Sequence, residues 1–208
     1  MPLSHLTLVD TNPAIVAAWR AEFRDFSRCT VEAKSIFETD ANTLVSPANS
    51  FGVMDGGLDG KLRDFLGESV EMALRARIDR EYFGELPVGL AIVLETGHHR
   101  FPYLLSAPTM RIPGNVAGTI NAYLAMKAAL NAAKAFPVEL RVAVPGFCSL
   151  TGGMPPSQVA RQMRIAYERF VLGHYQYSHW REERDFERFV RGELLAPPDD
   201  LERPRLPR

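Results

Sequence analysis

Residues 42–66, NTLVSPANSFGVMDGGLDGKLRDFL, constrain the fold more than any other stretch of the chain. Leu44-Val45 reads as the end of a strand running into Ser46-Pro47-Ala48-Asn49. A loop with Gly52, Gly56 and Gly57 follows, and then Leu58, Leu62, Phe65 and Leu66 recur at helical spacing. Strand, glycine-rich loop and helix start form a junction suited to anions. The first amides of a helix have no partner within it, and glycines let a ligand approach the backbone. The polar side chains of the loop are Asn49, Asp55 and Asp59, the last in the first helical turn. A carboxylate there is stabilised in its charged form, which favours Asp59 as an acceptor or base. A plainer reading stays open, in which Asp55 or Asp59 caps the helix and the glycines only make a tight turn.

The rest of the chain alternates strands and helices. Residues 6–9 read as a first strand, closed by Asp10-Thr11-Asn12-Pro13, which can cap a helix carrying Ile15, Trp19 and Phe23 on one face. A short strand is expected at 29–31 and a turn at 35–37. A helix or helix pair at 60–82 follows, with Val70, Leu74 and Ile78 four apart; Gly67 costs it about 1 kcal/mol. Residues 88–94 and 103–107 read as a strand pair around the polar tip TGHHRFP. An alanine-rich helix at 119–134, a strand at 140–144, the loop PGFCSLTGGMPP and a helix at 157–172 ending near Gly173 complete the body. The pattern predicts an α/β fold, a three-layer α/β/α sandwich with a central mixed sheet, in which both glycine loops open at the carboxyl ends of strands. We expect a single domain over residues 1–192. It includes a helical extension from about 173, whose 180–191 helix docks through Phe186, Phe189 and Val190. Residues 193–208 form a proline- and charge-rich tail, expected to be extended or disordered.

Composition removes several classes of function. The 208 residues carry 24 basic and 25 acidic side chains, so no nucleic-acid surface is advertised. In the aromatic and basic stretch 175–191, Glu182, Glu183, Asp185 and Glu187 argue against nucleic-acid stacking. Tyr175, Tyr177 and Trp180 are expected to pack on the domain. Cys29 and Cys148 are too few for a disulfide scaffold and begin no CxxC pair. His98-His99 lack an Asp, Glu or Cys at ligand spacing, so they read as a solvated tip, and no metal or cofactor is expected. No signal peptide is apparent, and no apolar run approaches the roughly 20 residues that span a bilayer. A cytoplasmic protein without a membrane partner is therefore expected. The phosphate-binding pattern G-x-x-x-x-G-K-[ST] is absent, since Leu58 follows Gly57, and neither loop has the dinucleotide fingerprint.

Two loops remain, 49–60 and 145–155, each offering a run of backbone amides. Facing each other, they would hold a diphosphate without lysine or arginine. In this order they carry a resemblance. LVSPANSFGVMDGGLDG resembles the first signature of macro domains, the ADP-ribose-binding modules, in which a strand ends in an N-A-A-N-like turn and enters a V-D-G loop. Ser46 stands at the first asparagine and Asn49 at the second, with Asp59-Gly60 at the aspartate and glycine. VPGFCSLTGGMPP is similar to the second signature, P-x-x-x-T-G-x-x-G.

The resemblance implies binding of ADP-ribose and hydrolysis of an ADP-ribosyl linkage on a protein or a small ADP-ribose derivative. It leaves two alternatives: a non-catalytic ADP-ribose reader, and a module for another nucleotide or nucleic-acid end. It implies Asn49 and Asp59 as the catalytic pair, with Asn49 on the distal ribose. Ser46, Ala48, Gly56, Gly57 and Leu58 would contact the ligand from the first loop, and Ser149, Leu150, Thr151, Gly152, Gly153 and Met154 from the second. The chain also departs from the family. The adenine-binding aspartate of a G-D-I-T-like segment falls on Ser35-Ile36, with Glu32 or Glu38 as substitutes, so Glu32, Ser35 and Ile36 are the adenine-end candidates. Asp55 adds a negative charge beside the phosphate loop. Arg63, where many hydrolytic members have histidine, either balances Asp55 or is a solvated helix residue.

Overall fold

The structure, a computed structural model, describes residues 3–198. Among the described residues six strands form one sheet: β1 (Leu3–Val9), β2 (Cys29–Glu32), β3 (Thr43–Ser46), β4 (Ile92–Glu95), β5 (Tyr103–Ser106) and β6 (Leu140–Val144). Their spatial order is β2-β1-β6-β3-β5-β4, and only the β4–β5 pair is antiparallel. The sheet is therefore mixed.

Strand side chains alternate between faces, and the sequence obeys that period. Val45, Leu105, Val142 and Val144 enter one core cluster, while Leu44, Leu104 and Ala143 enter the other. The first cluster is covered by α1 (Pro13–Glu22), α4 (Asn121–Ala135), α5 (Pro156–Tyr167) and α6 (Trp180–Arg191). The second is covered by α2 (Gly57–Leu66) and α3 (Ser69–Tyr82). This is the expected three-layer sandwich.

Local chemistry sets the helix ends. The Asn12 side chain accepts from the Ala14 amide at 3.0 Å and Pro13 opens α1, so Asn12 is the cap. Ile15, Trp19 and Phe23 are buried as their spacing predicts. Gly67, at φ 102°, divides α2 from α3. The α5 helix ends at Tyr167, earlier than its periodicity suggests, and passes through a wider turn over Glu168–Leu172 before Gly173 at φ 82°. On α6, Phe186, Phe189 and Val190 are buried in the first cluster, as expected. Tyr175 and Tyr177 pack against Phe186, whereas Trp180 is 62% exposed and does not dock. Arg181 and Arg184 instead lie over its ring. Most of the 193–208 tail lies outside the described residues.

His98 has a structural task. Its Nδ1 accepts from the amides of Arg100 and Phe101, and its ring packs on Phe65. Phe65 is thus used on the β4–β5 tip rather than in the core. Among the described residues no group of three or more His, Cys, Asp or Glu could hold a metal ion, and no helix is long and apolar enough to cross a membrane.

Candidate functional site

β3 delivers Ser46, and the chain leaves the sheet through Pro47 and Ala48 while still bonded to the segment after β5. The Thr109 amide donates to the Ala48 carbonyl at 2.9 Å, and that of Ser50 to the Arg111 carbonyl at 3.1 Å. The Asn49 side chain then folds the loop on itself. Its Oδ1 accepts from the amides of Phe51 (3.0 Å) and Val53 (3.4 Å), and its Nδ2 donates to the Val53 carbonyl at 2.7 Å. From behind, the Glu71 carboxylate accepts from the Met54 amide at 3.2 Å. Arg63 pairs with Glu71 at 3.7 Å and Asp64 at 2.9 Å, so it neither balances Asp55 nor stands free. At the loop tip a Cβ added to Gly56 or Gly57 would meet nothing within 4 Å. The amides at 55–59 find no acceptor among the described residues.

Asp59 is the third residue of α2 and is 8% exposed. The Ser46 hydroxyl, itself buried, donates to its Oδ1. Burial pushes the Asp59 carboxyl up to about 6. The Ser46 hydrogen bond works against the rise, and the negative charges of Asp55 and Glu71 add to it. The helix N-terminus alone predicts a stabilised carboxylate; desolvation reverses that expectation. At neutral pH the group still remains mostly ionised.

The second loop follows β6 and is crowded. A Cβ on Gly146 would come within 2.9 Å of both Asp10 Oδ2 and Ser149 Oγ, and one on Gly152 within 2.5 Å of the Cys148 carbonyl oxygen. Cys148 itself takes φ 61°, and burial holds its thiol up at about 12. The Met154 amide donates to the Cys148 carbonyl at 2.9 Å, and the Gly152 carbonyl accepts from the Val116 amide at 2.8 Å. The amides at 149–152 find no acceptor among the described residues.

The two loops wall one cleft of about 290 Å³. Ala48, Asn49, Gly56, Gly57, Leu58, Asp59, Ser149, Leu150, Thr151 and Gly152 line it, together with Asp10, Pro47, Val53, Asp55, Thr109, Met110, Pro113, Pro145, Gly146 and Cys148. No lysine or arginine is among these residues. Ser46 lies behind Asp59 rather than on the surface of the cleft, and Met154 is buried with its amide already used. Gly153, against Asn115, is also not a lining residue.

The adenine-end candidates Glu32, Ser35 and Ile36 do not line the cleft. Glu32 pairs with Lys34 at 2.9 Å, Ser35 caps a short 3₁₀ turn at Ile36–Glu38, and Ile36 is buried in the second core cluster. Sequence reasoning missed Asp10, treating it only as part of a possible helix cap. It also missed Thr109, Met110 and Pro113, which it placed in a breaker-rich loop. Their common signal, a position just after an adjacent strand, emerges only with the strand order.

The macro domain family model matches residues 45–163, more than half of the chain. The chain belongs to the macro domain family. A relative, an uncharacterized protein of Aquifex aeolicus, is 34% identical over 136 residues, 65% of this chain and 78% of its own length. Among solved structures, the Oceanobacillus iheyensis macrodomain with ADP superposes with a TM-score of 0.59 at 18% identity, over 68% of this chain and 75% of that one. Thermosipho africanus DarTG in complex with ADP-ribose gives 0.55 at 14% identity, over 80% of this chain and 50% of that one. Variants of the O. iheyensis protein have been solved with changes at an asparagine, at a glycine seven residues later and at an aspartate three further on.

Proposed function

We propose that this macro domain binds ADP-ribose and hydrolyses an ADP-ribosyl linkage on a protein or a small ADP-ribose derivative. The observation that carries the reading is a cleft with two runs of unpartnered amides, 55–59 and 149–152, beside the buried carboxyl of Asp59. Such amides suit a diphosphate when no cationic side chain lines the walls. The ADP and ADP-ribose held by the two structural relatives support the ligand class. Asn49, Gly56 and Asp59 also repeat the seven-and-three spacing of the positions changed in the O. iheyensis protein.

In this reading the distal ribose sits against Asp59. Its carboxylate stabilises positive charge as the anomeric bond breaks and accepts a proton from the attacking water. Asn49 acts mainly by shaping the loop, because both ends of its amide already bond the loop backbone. That same observation favours the second reading, a reader without turnover, in which both polar groups serve binding alone.

One experiment separates them. The protein is incubated with ADP-ribosylated protein and with ADP-ribose 1″-phosphate, and product release is followed alongside calorimetric binding of ADP-ribose. We expect release that rises with pH through about 6 as Asp59 ionises, and an Asp59→Ala variant that binds but does not turn over. Binding without release from either substrate leaves only the reader. Unchanged turnover in Asp59→Ala removes the role given to that residue.

A further inference from the structure

Behind the cleft, β3 and β5 each end in a serine, and these two residues are register partners in a parallel pair. Parallel partners point to the same face of a sheet. Alternation from Leu44 and Leu104, which enter the second core cluster, therefore puts Ser46 and Ser106 together on the side covered by α2 and α3. At the usual strand spacing their Cβ atoms stand about 5 Å apart, a separation that two hydroxyls can bridge. Both residues are fully buried.

The two hydroxyls are used unequally. Ser46 donates its one proton to Asp59 and keeps lone pairs free to accept. The Ser106 oxygen has no hydrogen-bond partner among the described residues. A hydroxyl held away from water without a partner costs stability, so this one calls for an explanation. Ile92, the register partner of Ser106 on its other side, is apolar and buried, which leaves the Ser46 oxygen as the acceptor across the sheet. Rotation about χ1 of Ser106 directs its proton there. The charged groups that face Asp59 are Asp55 from its own loop and Glu71 from α3, the latter paired with Arg63. β3 and β5 bring no ionisable side chain to their carboxyl ends.

We propose that Ser106 is a positioning residue that donates to Ser46, completing a buried relay of two hydroxyls that ends on the Asp59 carboxylate. Each bond in such a chain polarises the next, by about 10–30%. Ser46 is thereby a stronger donor, and the charged form of Asp59 is held with one oxygen fixed against β3. The consequence for hydrolysis rests on the ADP-ribose reading. The relay itself is a property of the folded chain and is tested without a ligand.

The test is a carbon-13 NMR titration of the Asp59 carboxyl in the unaltered protein, in Ser106→Ala, in Ser46→Ala and in the double variant. Ser106→Ala should raise the pH at which Asp59 ionises by about 0.2–0.6 pH unit, because it weakens the donor that favours the charged form. In the Ser46→Ala background the same change should do nothing, and Ser106→Thr, which keeps the hydroxyl, should leave the midpoint where it was. Denaturant unfolding gives a second readout. Loss of the relay should lower the unfolding midpoint of Ser106→Ala, whereas removing a hydroxyl that has no partner relieves a burial cost and raises it. A titration unmoved by Ser106→Ala, a shift as large without Ser46 as with it, or a raised unfolding midpoint overturns the relay. None of these outcomes touches the ADP-ribose reading, which falls only if ADP-ribose fails to bind.

Discussion

In the loop after β3 the chain is held from behind by side chains, whereas the loop after β6 adds bonds within its own backbone, from the Met154 amide to Cys148 and from the Gly153 amide to Leu150, to the side-chain brace of Asp10. Asn49 and Glu71 fix the first loop, and its tip glycines face open space. Gly146 and Gly152 in the second loop leave no room for a methyl group, and Asp10 and the Val116 amide brace it from either side. Glycine therefore does two jobs in one cleft. At the tip of the first loop it makes space for a ligand; in the second, as at Gly52 against Ile78 and Leu74 at the base of the first, it makes space for the protein.

The sharpest way to break that contrast is to add the same methyl group to each loop. Gly152→Ala drives a Cβ to within 2.5 Å of the Cys148 carbonyl oxygen, a backbone atom that cannot swing aside. We expect a loss of about 3 kcal/mol or more in denaturant unfolding. Gly57→Ala meets nothing within 4 Å and pays only for its φ of 58°, about 1–2 kcal/mol, while the methyl weakens ADP-ribose binding. Equal stability losses in the two variants would erase the distinction between the loops.

Asp59 gives an effect of similar size and opposite sign. Its carboxyl rises from an ordinary 3.8 to about 6 on folding, so the folded chain holds a proton that the unfolded chain has lost between those values. The group's contribution to stability is then greatest below about pH 4, declines as pH rises through 6, and is a fixed cost above that. At about 1.4 kcal/mol per pH unit the cost at pH 7 is up to about 3 kcal/mol. Asp59→Asn should melt higher than the unaltered protein above pH 6 and match it near pH 4, while losing turnover. A stability difference independent of pH would remove burial as the cause.

Much of this was legible in the sequence because the signals are local. Leu44-Val45 and LRVAV alternate between faces, Gly67 and Gly173 stop helices, and both glycine loops follow strands. Asp10 was not legible as a site residue, because it reaches the cleft through the parallel pairing of β1 with β6, residues more than 130 positions apart in sequence. Counting back from Asn49 leads to Ser35 and Ile36, which do not line the cleft, for the same reason. The count follows the chain, while the cleft follows the strand order. Trp180 was misread because an aromatic residue in a helix reads as a core residue until the neighbouring Phe186 and Phe189 are seen to fill that face.

Ser46 sharpens the account of the first loop by a smaller step. The residue stands where the family signature has asparagine, and its hydroxyl is spent on Asp59 rather than on the cleft. Ser46→Ala removes the interaction that lowers the Asp59 carboxyl, so the pH at which turnover rises should move above about 6. About 1–2 kcal/mol of stability should be lost with the bond. An unmoved pH profile would assign Ser46 to packing alone.

The smallest expected effect asks whether the first loop is held by charge or by hydrogen bonding. Glu71 does both, accepting from the Met54 amide and pairing with Arg63 at 3.7 Å. Glu71→Gln keeps an oxygen for the amide and gives up the charge, which should cost about 1 kcal/mol. It also removes one of the two negative charges that raise Asp59, so the turnover profile should shift to lower pH while ADP-ribose affinity stays within about threefold. Glu71→Ala loses the acceptor as well, leaves the Met54 amide unpartnered at a buried residue, and should weaken binding further than Gln does. If Gln and Ala weaken ADP-ribose binding alike, the loop is positioned by the Arg63 pair, and the hydrogen bond from Met54 only follows it.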